Sequence, residues 1–245
     1  SVIEGANASN WLSDVVVVST AGVQDSVDFA FYPKGQDNSG PPVRWNVPLG
    51  IGESLFIGDI LSELFGYSSP SVGSLSVSSN AAQPLLWMRT YTEEPIVGGD
   101  LVTYGLAIMP RASAATIVAG NSGHIAGFSH DATTRANLIL QNTRAAADGS
   151  RLSSEIRVEL LAADGSLLHE QTYSLLPGEY RQHNRFVAKY GVAPVEGVSL
   201  RVTVLDQPAE GEIGGVDAMV SEVNGNNVAA TNDGRLMRAT ILPPG

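Results

Sequence analysis

The sequence predicts an all-β chain of two tandem β-sandwich repeats, each carrying one short helix. Three observations support this. A phrase occurs twice: Gly52-Glu53 leads through Asp59 to Phe65-Gly66, and Gly178-Glu179 leads through Asn184 to Tyr190-Gly191. Around both copies, short β-branched or alternating runs are punctuated by Gly, Pro, Asn and Asp, the pattern of half-buried strands. Each half closes on an Ile-x-Pro phrase, Ile108-Met109-Pro110 and Ile241-Leu242-Pro243. With 245 residues the chain can bury two small cores or one large one.

Taken in order, Asp14 to Thr20 is a β-branched run that reads as a buried strand. Val27 to Tyr32 alternates and stops at Pro33-Lys34-Gly35. Arg44–Val47 and Ser54–Ile57 are shorter strand candidates before the helix at Ile60–Phe65. In that phrase Asp59, and Asn184 in the second copy, suit a helix N-cap, whose side-chain oxygen accepts a backbone N–H. Gly66 and Gly191 suit the left-handed position that ends a helix. Ser74–Ser78, Leu85–Tyr91 and Thr103–Ile108 complete the first half. The second half repeats the order with Arg135–Thr143, Ile156–Leu161, Leu167–Leu176, a short helix, Val198–Val204 and Ala218–Val223. Asp164-Gly165 marks a hairpin turn. The first repeat is thus expected over 1–115, with an extension at 1–10, and the second over 129–245. Residues 116–128, within the stretch 111–129 that is rich in Ala, Gly and Ser, read as a connection that could lend a strand to either side.

Composition excludes several functions. There are 25 acidic and 14 basic residues, a net charge of −11, so phosphate neutralisation and binding to nucleic acid are not expected. Acidic membrane surfaces are poor partners for the same reason. No apolar run approaches the roughly 20 residues of a membrane helix, so no membrane insertion is expected. Zero cysteines remove disulfides and thiolate metal sites. The scarcity of Lys, the Gly, Ser, Asn and Thr richness and the abrupt start at Ser1 fit a processed secreted protein.

Arg135-Ala136-Asn137-Leu138-Ile139-Leu140-Gln141-Asn142-Thr143, Leu160–Gly165 and Leu176-Pro177 through Gln182-His183-Asn184 resemble a β-sandwich repeat unit of secreted, multidomain bacterial proteins. Asp59–Gly66 and Arg89-Thr90-Tyr91 in the first repeat resemble the same unit. Ser221-Glu222-Val223-Asn224 follows its late-strand pattern only in part. The resemblance implies an immunoglobulin-like fold and an extracellular or cell-surface setting, and it brings no catalytic residue.

Candidate sites are few. His124, His130, His169 and His183 show no metal-ligand spacing, although His124 and His130 lie close enough in sequence to Asp131 to meet in space. No Gly-x-Ser-x-Gly elbow occurs, and Gly120-Asn121-Ser122-Gly123-His124 reads as a turn. No catalytic residue and no cofactor is expected. Gln36-Asp37-Asn38, Asn224–Asn227 and Asn232-Asp233-Gly234 hold oxygen ligands that would suit calcium, but turn chemistry explains them equally well. Trp45 and Tyr67 are the candidates for a ligand-binding aromatic platform, while Trp87, between Leu86 and Met88, reads as core. Ser1, Val2, Ile3 and Trp11, with the rest of the extension, are the candidates for assembly by strand addition to a neighbour's sheet edge. The expected function is a noncatalytic extracellular structural or adhesive subunit. It would associate with itself or with neighbouring surface proteins, into a filament or surface layer. A pair of carbohydrate-binding modules taking a polysaccharide is the alternative.

Overall fold

The computed structural model describes residues 11–68, 71–95, 101–112, 115–224 and 234–241. They are mostly β, in four antiparallel sheets with two short helices among the described residues. The chain divides into two units, one of residues 1–34 and 41–110 and the other of 35–40 and 111–245.

In the first unit β1 (Trp11–Val18) lies between β4 (Ser54–Ile57) and β6 (Leu85–Pro95), and β7 (Leu101–Ile108) pairs with the far side of β6. A second sheet sets β2 (Asp25–Pro33) between β3 (Val43–Leu49) and β5 (Gly73–Ser79). Alternate residues of a strand face opposite ways. Val15 and Val17 of the first sheet therefore share one core with Val27, Phe29 and Phe31 of the second. The helix α1 (Ile60–Glu63) adds Ile60 and Leu61 to that core. Each such apolar side chain contributes about 1.5–3 kcal/mol on burial.

The second unit repeats the strand order. β9 (Thr134–Asn142) lies between β12 (Tyr180–His183) and β14 (Val216–Asn224), with β15 (Gly234–Arg238) beyond. Its other sheet runs β11 (Leu167–Leu175), β10 (Ser154–Leu161), β13 (Val195–Val204), β8 (Ser122–His130) and β16 (Thr240–Ile241). Val15 pairs with Ile57 as Leu138 pairs with His183, which fixes the correspondence between the units. The core here is built on Leu138, Leu140, Ile156, Val158, Leu200, Val202 and Phe186, the last from α2 (Phe186–Lys189).

The duplicated helix phrase forms, but not by the expected cap. The residue before each helix is Asp59 or Arg185, each left-handed, at φ 36° and 53°, and neither side chain caps the helix. Asn184 sits one residue earlier, where its side chain accepts from Gln182. The left-handed turn is held from a distance instead. The Asp14 carboxylate accepts the Asp59 N–H at 3.1 Å, and the Asn137 side chain accepts the Arg185 N–H at 3.0 Å. Gly66 and Gly191 take the positive φ expected of them, 66° and 75°.

The expected connection at 116–128 contains most of β8. Gly123 and Ile125 are buried, then the phase shifts and Phe128 and His130 are buried. Between them the pairing slips, from Ser199 opposite Ala126 to Val198 opposite Phe128, leaving Gly127 as the extra residue at φ 77°. This glycine bulge breaks the alternation that would identify the strand in the sequence.

Candidate functional site

Because Val15 and Val17 face the core, their neighbours Val16 and Val18 face away from it. Val16 is paired with Phe56 on one side and Trp87 on the other, and Val18 is paired with Leu85. The outer face of the β4-β1-β6-β7 sheet therefore carries an apolar row, Phe56–Val16–Trp87, with Leu85 one step along. Phe56 is 62% exposed, Leu85 64% and Trp87 38%. Leu86 and Met88, the alternate residues of β6, point inward against the core. The expectation that Trp87 is core thus fails: within an unbroken apolar run only alternation decides which side chain faces in.

The row continues into a polar network that fixes its strands. Asp14, fully buried, receives the Arg89 guanidinium at 2.7 and 2.8 Å and the Tyr91 hydroxyl at 3.2 Å, besides the Asp59 N–H. Arg89 also lies over the Tyr91 ring at 4.3 Å. The hydrogen bond to Asp14 holds the Arg89 guanidinium above its ordinary pKa, and burial pushes the Tyr91 phenol up. This carboxylate spends its acceptor positions on holding the strands and the turn.

In the second unit the corresponding positions are Gln182, Ile139, Met219 and Asp217, by the same cross-strand pairings. Met219 and Asp217 are buried. Asp217 is paired with Arg111 at 2.8 Å and lies 3.7 Å from Arg238. A second difference lies where β11, β12 and α2 meet. His169 stacks on Tyr190 at 4.0 Å, His183 packs on Tyr173 at 4.5 Å, and the two tyrosine hydroxyls share a 2.7 Å hydrogen bond. Burial raises both phenols, so they stay protonated at neutral pH. The first unit has Val43, Val47 and Ile57 at the positions of His169, Tyr173 and His183. Sequence reasoning paired His124 with His130 and found no partner for His169 or His183. The signal for the cluster was His169 and Tyr173, four apart and so on one face of a strand.

Trp45, half exposed, lies on edge strand β3 opposite Phe29, on the core side of its sheet. Tyr67 is half-buried with its ring edge-on to Phe31 at 5.3 Å. Trp11 opens β1 opposite Thr92, and its side chain lies outside the described residues, as do Ser1, Val2 and Ile3. His124 and His130 do not meet: six residues along β8 put them roughly 20 Å apart. His130 is buried, its Nδ1 accepts the Ala136 N–H at 3.0 Å, and desolvation together with nearby Arg185 lowers its pKa. Of the calcium candidates, Asn38 donates to the carbonyls of Gly178 and Gln36, and Asp37 accepts the Ser39 N–H. Residues 225–233, which hold most of the other two, lie outside the described residues.

The chain matches no family model and no curated protein sequence. Among solved structures it has a likeness to one described as the structure of infectious bursal disease virus Gx strain, at 12% identity and a TM-score of 0.22. That match covers 97% of this chain and 62% of the other, so the chain spans less than two thirds of its neighbour. The likeness is too slight to bear on fold or function.

Proposed function

We propose that the chain is a noncatalytic extracellular subunit, structural or adhesive, built of two immunoglobulin-like sandwiches in tandem and displayed at a cell surface. The apolar row Phe56–Val16–Trp87, with Leu85 beside it, carries this reading, because contiguous exposed apolar surface on a rigid sheet marks a contact with a partner. Its partner is a further copy of the chain or a neighbouring surface protein. Light scattering of the native protein tests this. The expected mass exceeds the 25.7 kDa of one chain and returns to it in a Phe56→Ser/Trp87→Ser variant. A native protein that stays at one chain mass at every concentration, and is retained by no cell-surface fraction, overturns the reading.

A second reading, polysaccharide binding, is favoured by the same two rings. Strands lie about 4.8 Å apart, so Phe56 and Trp87, two strands apart, are separated by about 10 Å, comparable with a disaccharide. Sugar rings stack on aromatic faces at such a spacing. Titration with soluble polysaccharides would quench tryptophan fluorescence in the native protein and leave a Trp87→Ala variant unresponsive. A response lost instead in Trp45→Ala would move the site to β3.

A further inference from the structure

We infer that Arg111 and Arg238 hold a sulfate or phosphate group, taken as the free ion or as an ester. Both residues belong to the second unit, whereas the row that carries the proposed function belongs to the first, so failure of either leaves the other standing. The two arginines are drawn to one carboxylate. Asp217 and Met219 are alternate residues of β14 and share its outward face, and Arg238 of β15 stands opposite Met219. The Arg111 Nη1 donates to one Asp217 oxygen at 2.8 Å, and the Arg238 Nε lies 3.7 Å from the other. That Nε donates to the Met219 Sδ at 3.2 Å. Two cations thus face one anion, a local positive excess in a chain whose net charge is −11.

The three side chains are largely shielded from water: Arg111 is 14% exposed, Arg238 23% and Asp217 10%. An unbalanced charge is costly in such a place unless a counter-charge replaces the lost hydration. Burial holds the Arg238 guanidinium below its ordinary pKa; the attraction of Asp217 opposes this, and the repulsion of Arg111 adds to it. Among the described residues Asp217 is the one acid that acts on Arg238. Among the same residues, Nε and Nη2 of Arg111 and both η nitrogens of Arg238 meet no protein acceptor, yet none is sealed from solvent. A single guanidinium already matches the fork of a carboxylate. The unmet donors of two guanidiniums suit the larger oxygen set of sulfate or phosphate. The first unit has Leu85 at the place of Asp217 and Trp87 at that of Met219, so the site has no counterpart there.

Calorimetric titration of the full chain with sodium sulfate and with sodium phosphate, at an ionic strength held constant with sodium chloride, tests the site. The native protein should bind saturably. Arg111→Gln and Arg238→Gln should each bind at least about tenfold more weakly, the loss expected for a charge-assisted hydrogen bond. Asp217→Asn removes the competing carboxylate and keeps the side chain's shape, so it should bind more tightly, a gain that damage to the fold would not produce. Glucose 6-sulfate, titrated in parallel, identifies the source. Binding no tighter than that of sulfate assigns the site to the free ion, and tighter binding assigns it to an ester. Absence of saturable binding of either ion by the native protein, or equal binding by the native protein and both glutamine variants, overturns the inference.

Discussion

The outer face of β4-β1-β6-β7 carries Phe56, Val16, Trp87 and Leu85 where that of β12-β9-β14-β15 carries Gln182, Ile139, Met219 and Asp217. Inward, the two sheets agree: Val15 and Val17 do in one what Leu138 and Leu140 do in the other. The same strand order is therefore maintained by the inward positions and by one distant hydrogen bond to a left-handed turn. The outward positions diverge: Phe56, Leu85 and Trp87 are exposed in one unit, whereas Met219 and the ion-paired Asp217 are buried in the other. Function is expected where the frame places no demand.

The ion pairs separate the units most. Arg144, nearly fully buried, binds Glu212 through Nε at 2.5 Å, Asp206 at 2.6 Å and the Ser153 carbonyl at 2.9 Å. Removing the cation strands buried Glu212, so Arg144→Ala should cost about 3–5 kcal/mol. Arg89 in the first unit is 41% exposed, and its partner Asp14 keeps two other donors. Arg89→Ala should cost about 1–3 kcal/mol. Equal losses in chemical denaturation would break the comparison.

The shared turn gives the next effect. Asp14→Ala removes an acceptor from Arg89, Tyr91 and the Asp59 N–H, and should cost about 3 kcal/mol. Asn137→Ala leaves only the Arg185 N–H unsatisfied and should cost about 1–2 kcal/mol. Asp14→Asn, which gives the first unit the residue of the second, should fall between them. If Asn137→Ala proved the costlier, the two side chains would not share one role.

Much of this frame was legible in the sequence. The all-β class, most strands and the glycines that end the helices followed from alternation and turn chemistry, which are local. What was missed depends on partners far along the chain. The left-handed Asp59 and Arg185 are held by side chains 45 and 48 residues earlier, so an Asx next to the helix was the wrong place to look. A strand lent by the connection was foreseen, but the extent of β8 was hidden by the phase shift at Gly127. The echo of the closing Ile-x-Pro phrases was coincidental in position: Ile108 pairs with Met88, but the residue paired with the equivalent Val220 is Met237, four before Ile241. The open row could not be read because Leu85-Leu86-Trp87-Met88 does not alternate in polarity, although it alternates in space.

Acid separates the units again, since all four histidines lie in the second. Desolvation and Arg185 hold folded His130 below its ordinary value of 6.5. The unfolded chain therefore binds more protons just below that value, and stability is full above it and lost as pH falls through the folded value. A later loss follows below the ordinary value of 4.5, where Glu159, lowered by its bonds to Arg201, and Glu212, lowered by Arg144, take up protons on unfolding. His130→Asn, which keeps an acceptor for the Ala136 N–H without the titration, should abolish the first loss and leave the second. A profile from pH 7 to 5 that is the same in both proteins would remove His130 from this account.

The smallest effect on stability is expected at the row that carries the proposed function. Replacing Phe56, Trp87 and Leu85 by their counterparts in the second unit, as Phe56→Gln, Trp87→Met and Leu85→Asp, changes side chains that already face solvent. Each change should therefore shift stability by less than about 0.5 kcal/mol, while association or polysaccharide binding through the row is lost. The comparison turns on keeping those two readouts separate. A variant that melts with the native protein and no longer binds makes the outer face a surface for partners, added to a frame that does not need it. A variant that binds unchanged but unfolds several kcal/mol earlier would place Phe56 and Trp87 among the groups that hold β4, β1 and β6 together. The difference between the units would then be one of packing, and the contact surface would have to be sought on another face.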